Sequence, residues 1–226
     1  MDDTGIKQSE GSAQAMRADS REAHEARMKE VRENLERTCA ELFPEPVTIT
    51  LEIGCGHGHF LTAYALEHQD ETCVGVDLVT KRVQKGRNKK EKRALEKLHF
   101  IKAEALGFLE ALPEHVRIGR CFVLFPDPWP KKRHWKNRIV QSQLLEMLAA
   151  RRTPDCQLCL RTDHEGYFEW MVEQVAASPL WAVNDEVEWP FEASSFFQEL
   201  MDAWQSLIAT KPEEDEAVFT NSTPVG

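Results

Sequence analysis

The stretch Val47-Thr48-Ile49-Thr50-Leu51-Glu52-Ile53-Gly54-Cys55-Gly56-His57-Gly58-His59-Phe60 runs from a β-branched, apolar segment through three alternating glycines into a helical pattern. A strand that ends in glycines and opens a helix is a turn whose backbone a ligand can approach, because no Cβ stands in the way. From this turn onward strand-like and helix-like segments alternate. The pattern predicts strands over 47–53, 72–77, 98–102, 119–125 and 156–161, with helices over 57–68, 80–97, 105–112, 138–151 and 165–177. Segments 181–187 and 204–210 are candidate closing strands. Such alternation specifies an α/β fold, a mostly parallel sheet with helices on both faces.

The glycine spacing is G-x-G-x-G. The dinucleotide fingerprint is G-x-G-x-x-G, which makes a nicotinamide or flavin dinucleotide the weaker rival ligand. Asp77 ends the second strand, 23 positions after Gly54, where an acidic residue can accept from ribose hydroxyls. Glu104-Ala105 follows the third strand, at a place suited to an adenine ring. The fourth strand, Cys121-Phe122-Val123-Leu124-Phe125, leads into Pro126-Asp127-Pro128-Trp129-Pro130-Lys131-Lys132-Arg133-His134-Trp135-Lys136-Asn137-Arg138. Prolines 126, 128 and 130 fix three φ angles and bias Phe125, Asp127 and Trp129 toward extended backbone, so Asp127 is expected to be held with little freedom.

The 226 residues carry a formal charge of −10, yet two segments are basic. Residues 79–99 hold nine Lys/Arg against two Glu, and 131–138 hold five with no acid, which leaves −22 on the rest of the chain. An acidic body with concentrated cations can draw a polyanion to one face and repel it elsewhere. On these grounds Lys132, Arg133, Lys136 and Arg138 are expected to hold RNA phosphates, and Trp129, His134 and Trp135 offer faces on which a base can stack. Residues 1–20 are polar and are expected to be a disordered extension. Residues 21–226 are expected to form one domain, beginning with an amphipathic helix over about 20–43 that carries Met28, Val31, Leu35 and Leu42.

No apolar run approaches the ~20 residues of a membrane span, and the amino terminus has no secretory pattern, so a cytoplasmic protein with no membrane partner is expected. Six scattered cysteines suit reduced core thiols. The pair Cys156 and Cys159 has metal-ligand spacing without a second pair, and no metal is expected. The oligomeric state is left at monomer or homodimer.

Glycine turn, Asp77, Glu104-Ala105 and Asp127, at the ends of four successive strands, resemble the Rossmann-like class I S-adenosylmethionine-dependent methyltransferases. The loop 125–138 narrows this: the chain resembles the tRNA (guanine-N7-)-methyltransferases of the bacterial single-subunit type over roughly Leu51 to Lys211. The resemblance implies an enzyme that transfers a methyl group from S-adenosylmethionine to N7 of a guanine in tRNA, in the variable loop. It also implies a cofactor site from Glu52, Gly54, Gly56, Gly58, Asp77, Glu104, Ala105 and Asp127, with Asp127 at the catalytic position. Lys131 is implied to contact substrate, and Asp163, in Arg161-Thr162-Asp163, to hold the target base. The family's late Thr-x-x-Glu element aligns with Ser195-Phe196-Phe197-Gln198, where glutamine replaces the acid. That departure leaves a weak or inactive RNA-binding relative as one alternative. A methyltransferase acting on an exocyclic amine of another RNA base is the other.

Overall fold

The computed structural model describes residues 4–193 and 203–213, with side chains from residue 21 onward. Seven strands form one sheet in the order β3-β2-β1-β4-β5-β7-β6. They are β1 (Val47–Ile53), β2 (Thr72–Asp77), β3 (Leu98–Lys102), β4 (Val116–Leu124), β5 (Arg152–Thr162), β6 (Ala182–Val183) and β7 (Gln205–Thr210). The first five are parallel, and β7 is antiparallel to both β5 and β6. The expected α/β fold is therefore present.

Alternation of side chains along each strand feeds two apolar layers. On one face Ile49, Leu51, Ile53 and Val123 pack with Phe108 and Leu109 of α4 (Ala105–Ala111), Leu145 and Leu148 of α5 (Ser142–Arg151), and Met171 of α6 (Glu165–Ala176). On the other, Phe100 and Phe122 pack with Phe60, Leu61 and Tyr64 of α2 (His59–Glu67) and Val83 of α3 (Thr80–Lys92). Cys156 and Cys159 of β5 fall into opposite layers.

Several boundaries differ from the expectation: β4 and β5 begin three and four residues before the expected 119 and 156. The helix expected over 80–97 stops at Lys92, because Ala94 takes a φ of 52° that no right-handed helix can continue. The helix expected from residue 138 starts at Ser142, after a short 3-10 helix, Lys132–Asn137, and an extended Arg138. The strand expected over 181–187 is only Ala182–Val183, pairing with the end of β7. At the amino terminus, α1 (Thr4–Leu42) includes the expected helix and continues through 4–20, a polar stretch expected to be unordered. That stretch contains no proline, and a helix satisfies its own backbone groups without a core. Leu35, Cys39, Leu42 and Phe43 anchor its carboxyl-terminal end to the domain.

Chain order and spatial order diverge at β1. The chain passes from β1 to β2 and β3 on one side and then returns to place β4 on the other side. The crevice outside the carboxyl ends of β1 and β4 is the switch point at which open α/β sheets bind ligands.

Candidate active site

Strand register lines up the site. Ile101, Val76, Ile53, Val123 and Leu160 are paired neighbours across β3, β2, β1, β4 and β5. Glu104, Asp77, Gly54, Asp127 and Asp163 follow these residues by one to four positions, so five chain segments far apart in sequence reach one sheet edge.

Gly54, Gly56 and Gly58 adopt φ of 74°, 53° and 68°, the left-handed region that glycine enters without cost. A Cβ at Gly54 or Gly56 would meet nothing within 4 Å, so the turn presents open backbone. Gly58 has a different constraint, since a Cβ there would lie 2.5 Å from the Phe100 ring. Gly58→Ala should lower stability by about 2–4 kcal/mol, through left-handed strain and the clash with a buried ring. Thermal denaturation checks this, and an unchanged midpoint would refute the packing argument.

Asp77 braces the turn. It is buried, its Oδ2 accepts from the Gly56 N–H (3.1 Å), and its Oδ1 accepts from the Val79 N–H (2.7 Å). The Arg82 guanidinium lies 3.7 Å from Oδ2. Each carboxylate oxygen keeps a further lone pair for a ligand hydroxyl.

Glu52 is buried beside this turn, and its Oε2 has no hydrogen-bond partner. Burial pushes its carboxyl up to about 8, opposed by the Leu61 N–H and reinforced by the charge of Asp77. A buried acceptor without a donor is costly to a folded chain, and such groups need a reason. Together with the open glycines, it fits a ligand that carries a donor into the turn.

At the end of β3, Glu104 caps α4 by accepting from the Gly107 N–H (2.9 Å), which satisfies part of its carboxylate before any ligand arrives. Ala105 is buried behind it. Glu104 also lines a cavity of about 1150 Å³, with Leu78, Ala103 and Leu106 on one side and Met28 and Leu35 of α1 on the other. Neither α1 nor Leu78 entered the sequence reading of the site. The available signal was an apolar residue directly after the strand-ending acid, and Leu78 stays 65% exposed.

The loop after β4 corrects the backbone expectation. Phe125 and Trp129, both before prolines, adopt φ of 48° and 44° rather than extended backbone. Left-handed φ at a bulky residue is strained and persists only where surrounding structure imposes it. At Phe125 the N–H donates to the Arg161 carbonyl (2.8 Å), which extends the β4 to β5 pairing by one residue. Asp127, between the two strained residues, is exposed.

Arg138 supplies the second constraint and the main correction among the site residues. Expected on the RNA face, it is only 3% exposed. Its guanidinium lies 4.6 Å from the Trp135 ring, 4.9 Å from Tyr167 and 5.1 Å from Trp170. Its Nε donates to the Pro128 carbonyl (3.0 Å), one residue past Asp127. A planar cation boxed by three rings cannot reach a phosphate, so Arg138 positions the loop. Trp135 is committed to the same cluster, 5.4 Å from Trp170. Lys131, Lys132, Arg133 and Lys136 are exposed. Trp129 and His134 meet edge to face at 5.7 Å.

At the end of β5, Asp163 is exposed, and His164 caps α6 by accepting from the Tyr167 N–H at Nδ1 (3.2 Å). Arg161 is buried and forks onto Glu192 (2.7 and 2.8 Å) while its Nε donates to Ser206 Oγ (2.7 Å). Its guanidinium lies 4.0 Å from the Trp189 ring and 5.5 Å from Trp204. Arg161 thus ties residues 189–192 and 204–206 to β5. Ser195 and Gln198 lie outside the described residues. Among the described residues no cluster of His, Cys, Asp and Glu could hold a metal ion, and no helix is long and apolar enough to cross a membrane.

The fold and the ligand edge define the Rossmann-like class I methyltransferase architecture. Two solved structures support the fold: TrmN from Thermus thermophilus (TM-score 0.53, 15% identity, 78% of this chain and 48% of that one), and ribosomal protein L11 methylase from Lactobacillus delbrueckii subsp. bulgaricus (TM-score 0.51, 11% identity, 79% and 78%). The chain belongs to the family whose model is described as "Putative methyltransferase", which matches residues 45–204. Among curated relatives, the tRNA (guanine-N(7)-)-methyltransferase of Caulobacter vibrioides is 32% identical over 146 residues, 65% of this chain and 64% of that protein. The protein of the same name from Brevibacillus brevis is 34% identical over 137 residues, 61% and 64%. The chain spans about 64% of the length of each of these two relatives.

Proposed function

We propose that this protein transfers a methyl group from S-adenosylmethionine to N7 of a guanine in tRNA, in the variable loop, as a cytoplasmic enzyme. The observation that carries the reading is an open glycine turn after β1 and, after the neighbouring β4, Asp127 in a loop held at Pro128 by Arg138 and followed directly by exposed Lys131, Lys132 and Arg133. S-adenosylmethionine brings an electrophilic methyl on a sulfonium together with hydroxyl and ammonium donors. Glu52, the backbone of Gly54, Gly56 and Gly58, Asp77, Glu104 and Ala105 are the residues that would hold it.

Guanine N7 has a lone pair and no proton, so no residue has to act as a base to create the nucleophile. The protein's contribution is placement and charge. Positive charge builds on the purine during transfer, and carboxylates beside it bind it more strongly in the transition state than before. Asp127 and Asp163, which lie just past the ends of the neighbouring strands β4 and β5, would fill this role. Accepting from the guanine N1–H or amino group would also discriminate against adenine, which lacks those donors. Lys131, Lys132, Arg133 and Lys136 would hold phosphates, with Ser195 and Gln198 as further substrate contacts.

The test is methyl transfer from labelled S-adenosylmethionine to unmodified tRNA transcripts with and without a variable-loop guanine, followed by nucleoside analysis. Recovery of 7-methylguanosine that depends on that guanine supports the reading. A methylated exocyclic amine, or cofactor binding without product, overturns it.

Glu52 provides a check that does not need turnover. With its carboxyl raised from 4.5 to about 8, the folded protein without ligand holds a proton that the unfolded chain releases. Stability therefore falls as pH rises from about 4.5 to about 8. Glu52→Gln cannot titrate, so its thermal midpoint should fall less over pH 5–8 than that of the wild type. Parallel profiles would refute a protonated Glu52 in the ligand-free protein.

A further inference from the structure

The cations on and just after α3 are arranged unlike those of an ordinary solvated helix. Arg82, Lys85 and Lys89 of α3 and Arg93, which caps its end, recur at spacings of three, four and four, which places them in one stripe. The stripe lies beside the glycine turn, because the Lys89 Nζ donates to the His57 carbonyl (2.8 Å). His57 and His59, whose rings meet at 6.2 Å, complete the patch on the neighbouring segment. Burial, with Lys85, Lys89 and Arg82, disfavours the charged form of His57, where Asp77 opposes the effect; burial, with Lys89, His57, Arg93 and Lys85, does the same at His59.

The contrast with α1 is informative. There Arg21, Lys29 and Arg32 each meet a glutamate one turn later. Along α3, among the described residues, the single ion pair is Arg82 with the buried Asp77. Lys85 and Lys89 stand one turn apart, and Arg93 follows one turn on at the end of the helix, an arrangement of like charges that disfavours the helix. The chain as a whole is acidic, at −10, so composition alone does not account for an acid-free stripe of about 17 Å, at 1.5 Å rise per residue. A polyanion laid along it would relieve the repulsion and release counterions.

We propose that this stripe is a second contact surface for the sugar–phosphate backbone of the tRNA substrate, separate from the 131–136 segment and leading away from the rim of the cofactor turn. The proposal rests on the tRNA reading above and adds where a further part of the same molecule lies. The surface reads charge and no sequence, since lysines and arginines on phosphates position a nucleic acid without discriminating bases.

The experiment uses the full chain and the double variant Lys85→Gln with Arg93→Gln, which spares Arg82 and Lys89 because both brace the turn. Binding of an unmodified tRNA transcript is titrated from 50 to 300 mM salt, with nucleoside analysis of the wild-type product in parallel. The expected result is a log–log salt slope shallower by about 1.4–1.8, two contacts at roughly 0.7–0.9 each, and a Kd raised on the order of tenfold at 0.1 M salt. Affinity for S-adenosylmethionine, read by calorimetry, should not change. An unaltered slope alongside 7-methylguanosine production overturns the surface and leaves the methylation reading standing. A reduced slope in a protein that makes no 7-methylguanosine does the reverse. A wild type that does not bind tRNA removes both.

Discussion

Replacing Asp127 by asparagine should lower the rate of methyl transfer to tRNA by about 10²- to 10³-fold, the usual cost of removing one preorganised charge from a site where charge develops. The side chain is isosteric, exposed and accepts no hydrogen bond from any described residue, so folding should not suffer. The thermal midpoint should move by less than the roughly 2–4 °C that 1 kcal/mol represents in a chain of this size. The loop is shaped by its backbone, through Phe125 and Trp129 at left-handed φ and the Arg138 hydrogen bond to Pro128. Single-turnover transfer, which separates chemistry from product release, is the measurement. Wild-type rates with asparagine would remove Asp127 from the reaction.

Replacing Arg138 by alanine should cost about 3 kcal/mol of stability, and hence lower the thermal midpoint by roughly 6–12 °C. Two losses combine: the Pro128 carbonyl loses its charged donor, and Trp135, Tyr167 and Trp170 lose the plane they surround. Neighbouring bonds share the load, since the Val140 N–H donates to the Tyr167 hydroxyl and the Trp170 Nε1 donates to the Val140 carbonyl. Arg138→Lys keeps the charge and loses the planar fork, so it should recover part of the stability and little of the rate. The decisive readout is salt dependence. A phosphate contact would make the slope of tRNA affinity shallower by about 0.7–0.9 when removed. A residue that positions Asp127 should lower kcat and leave the slope where it was. Arg133→Gln serves as the comparison, because its exposed side chain is placed to meet RNA directly. An Arg138 variant that behaves like it would restore the phosphate role.

The two outcomes mark how far the sequence reaches. Alternation of apolar strands with helical patterns determined an α/β sheet, and local spacing located the glycine turn, Asp77, Glu104 and Asp127 at strand ends, while Asp163 came from the family resemblance. These features were legible because they depend on periodicity and on chain-local geometry, which neighbours in sequence decide. The register that lines the five acidic and glycine positions along one edge follows from the same strands once they pair.

What the tertiary structure decided depends on residues far apart in the chain. Arg138 reads as one more cation in a basic run, and only the arrival of Tyr167 and Trp170 from α6 turns it inward to clamp Pro128. The prolines around Asp127 pointed to extended backbone, yet pairing of Phe125 with Arg161 and the pull of Arg138 impose left-handed φ there. Composition displayed the cations of 79–99 but not which of them share a face beside the glycine turn, a matter settled by how α3 packs on Phe100. Burial of a charge is a property of its surroundings in space, so a sequence can show which residues are ionisable while the fold alone determines which of them meet water.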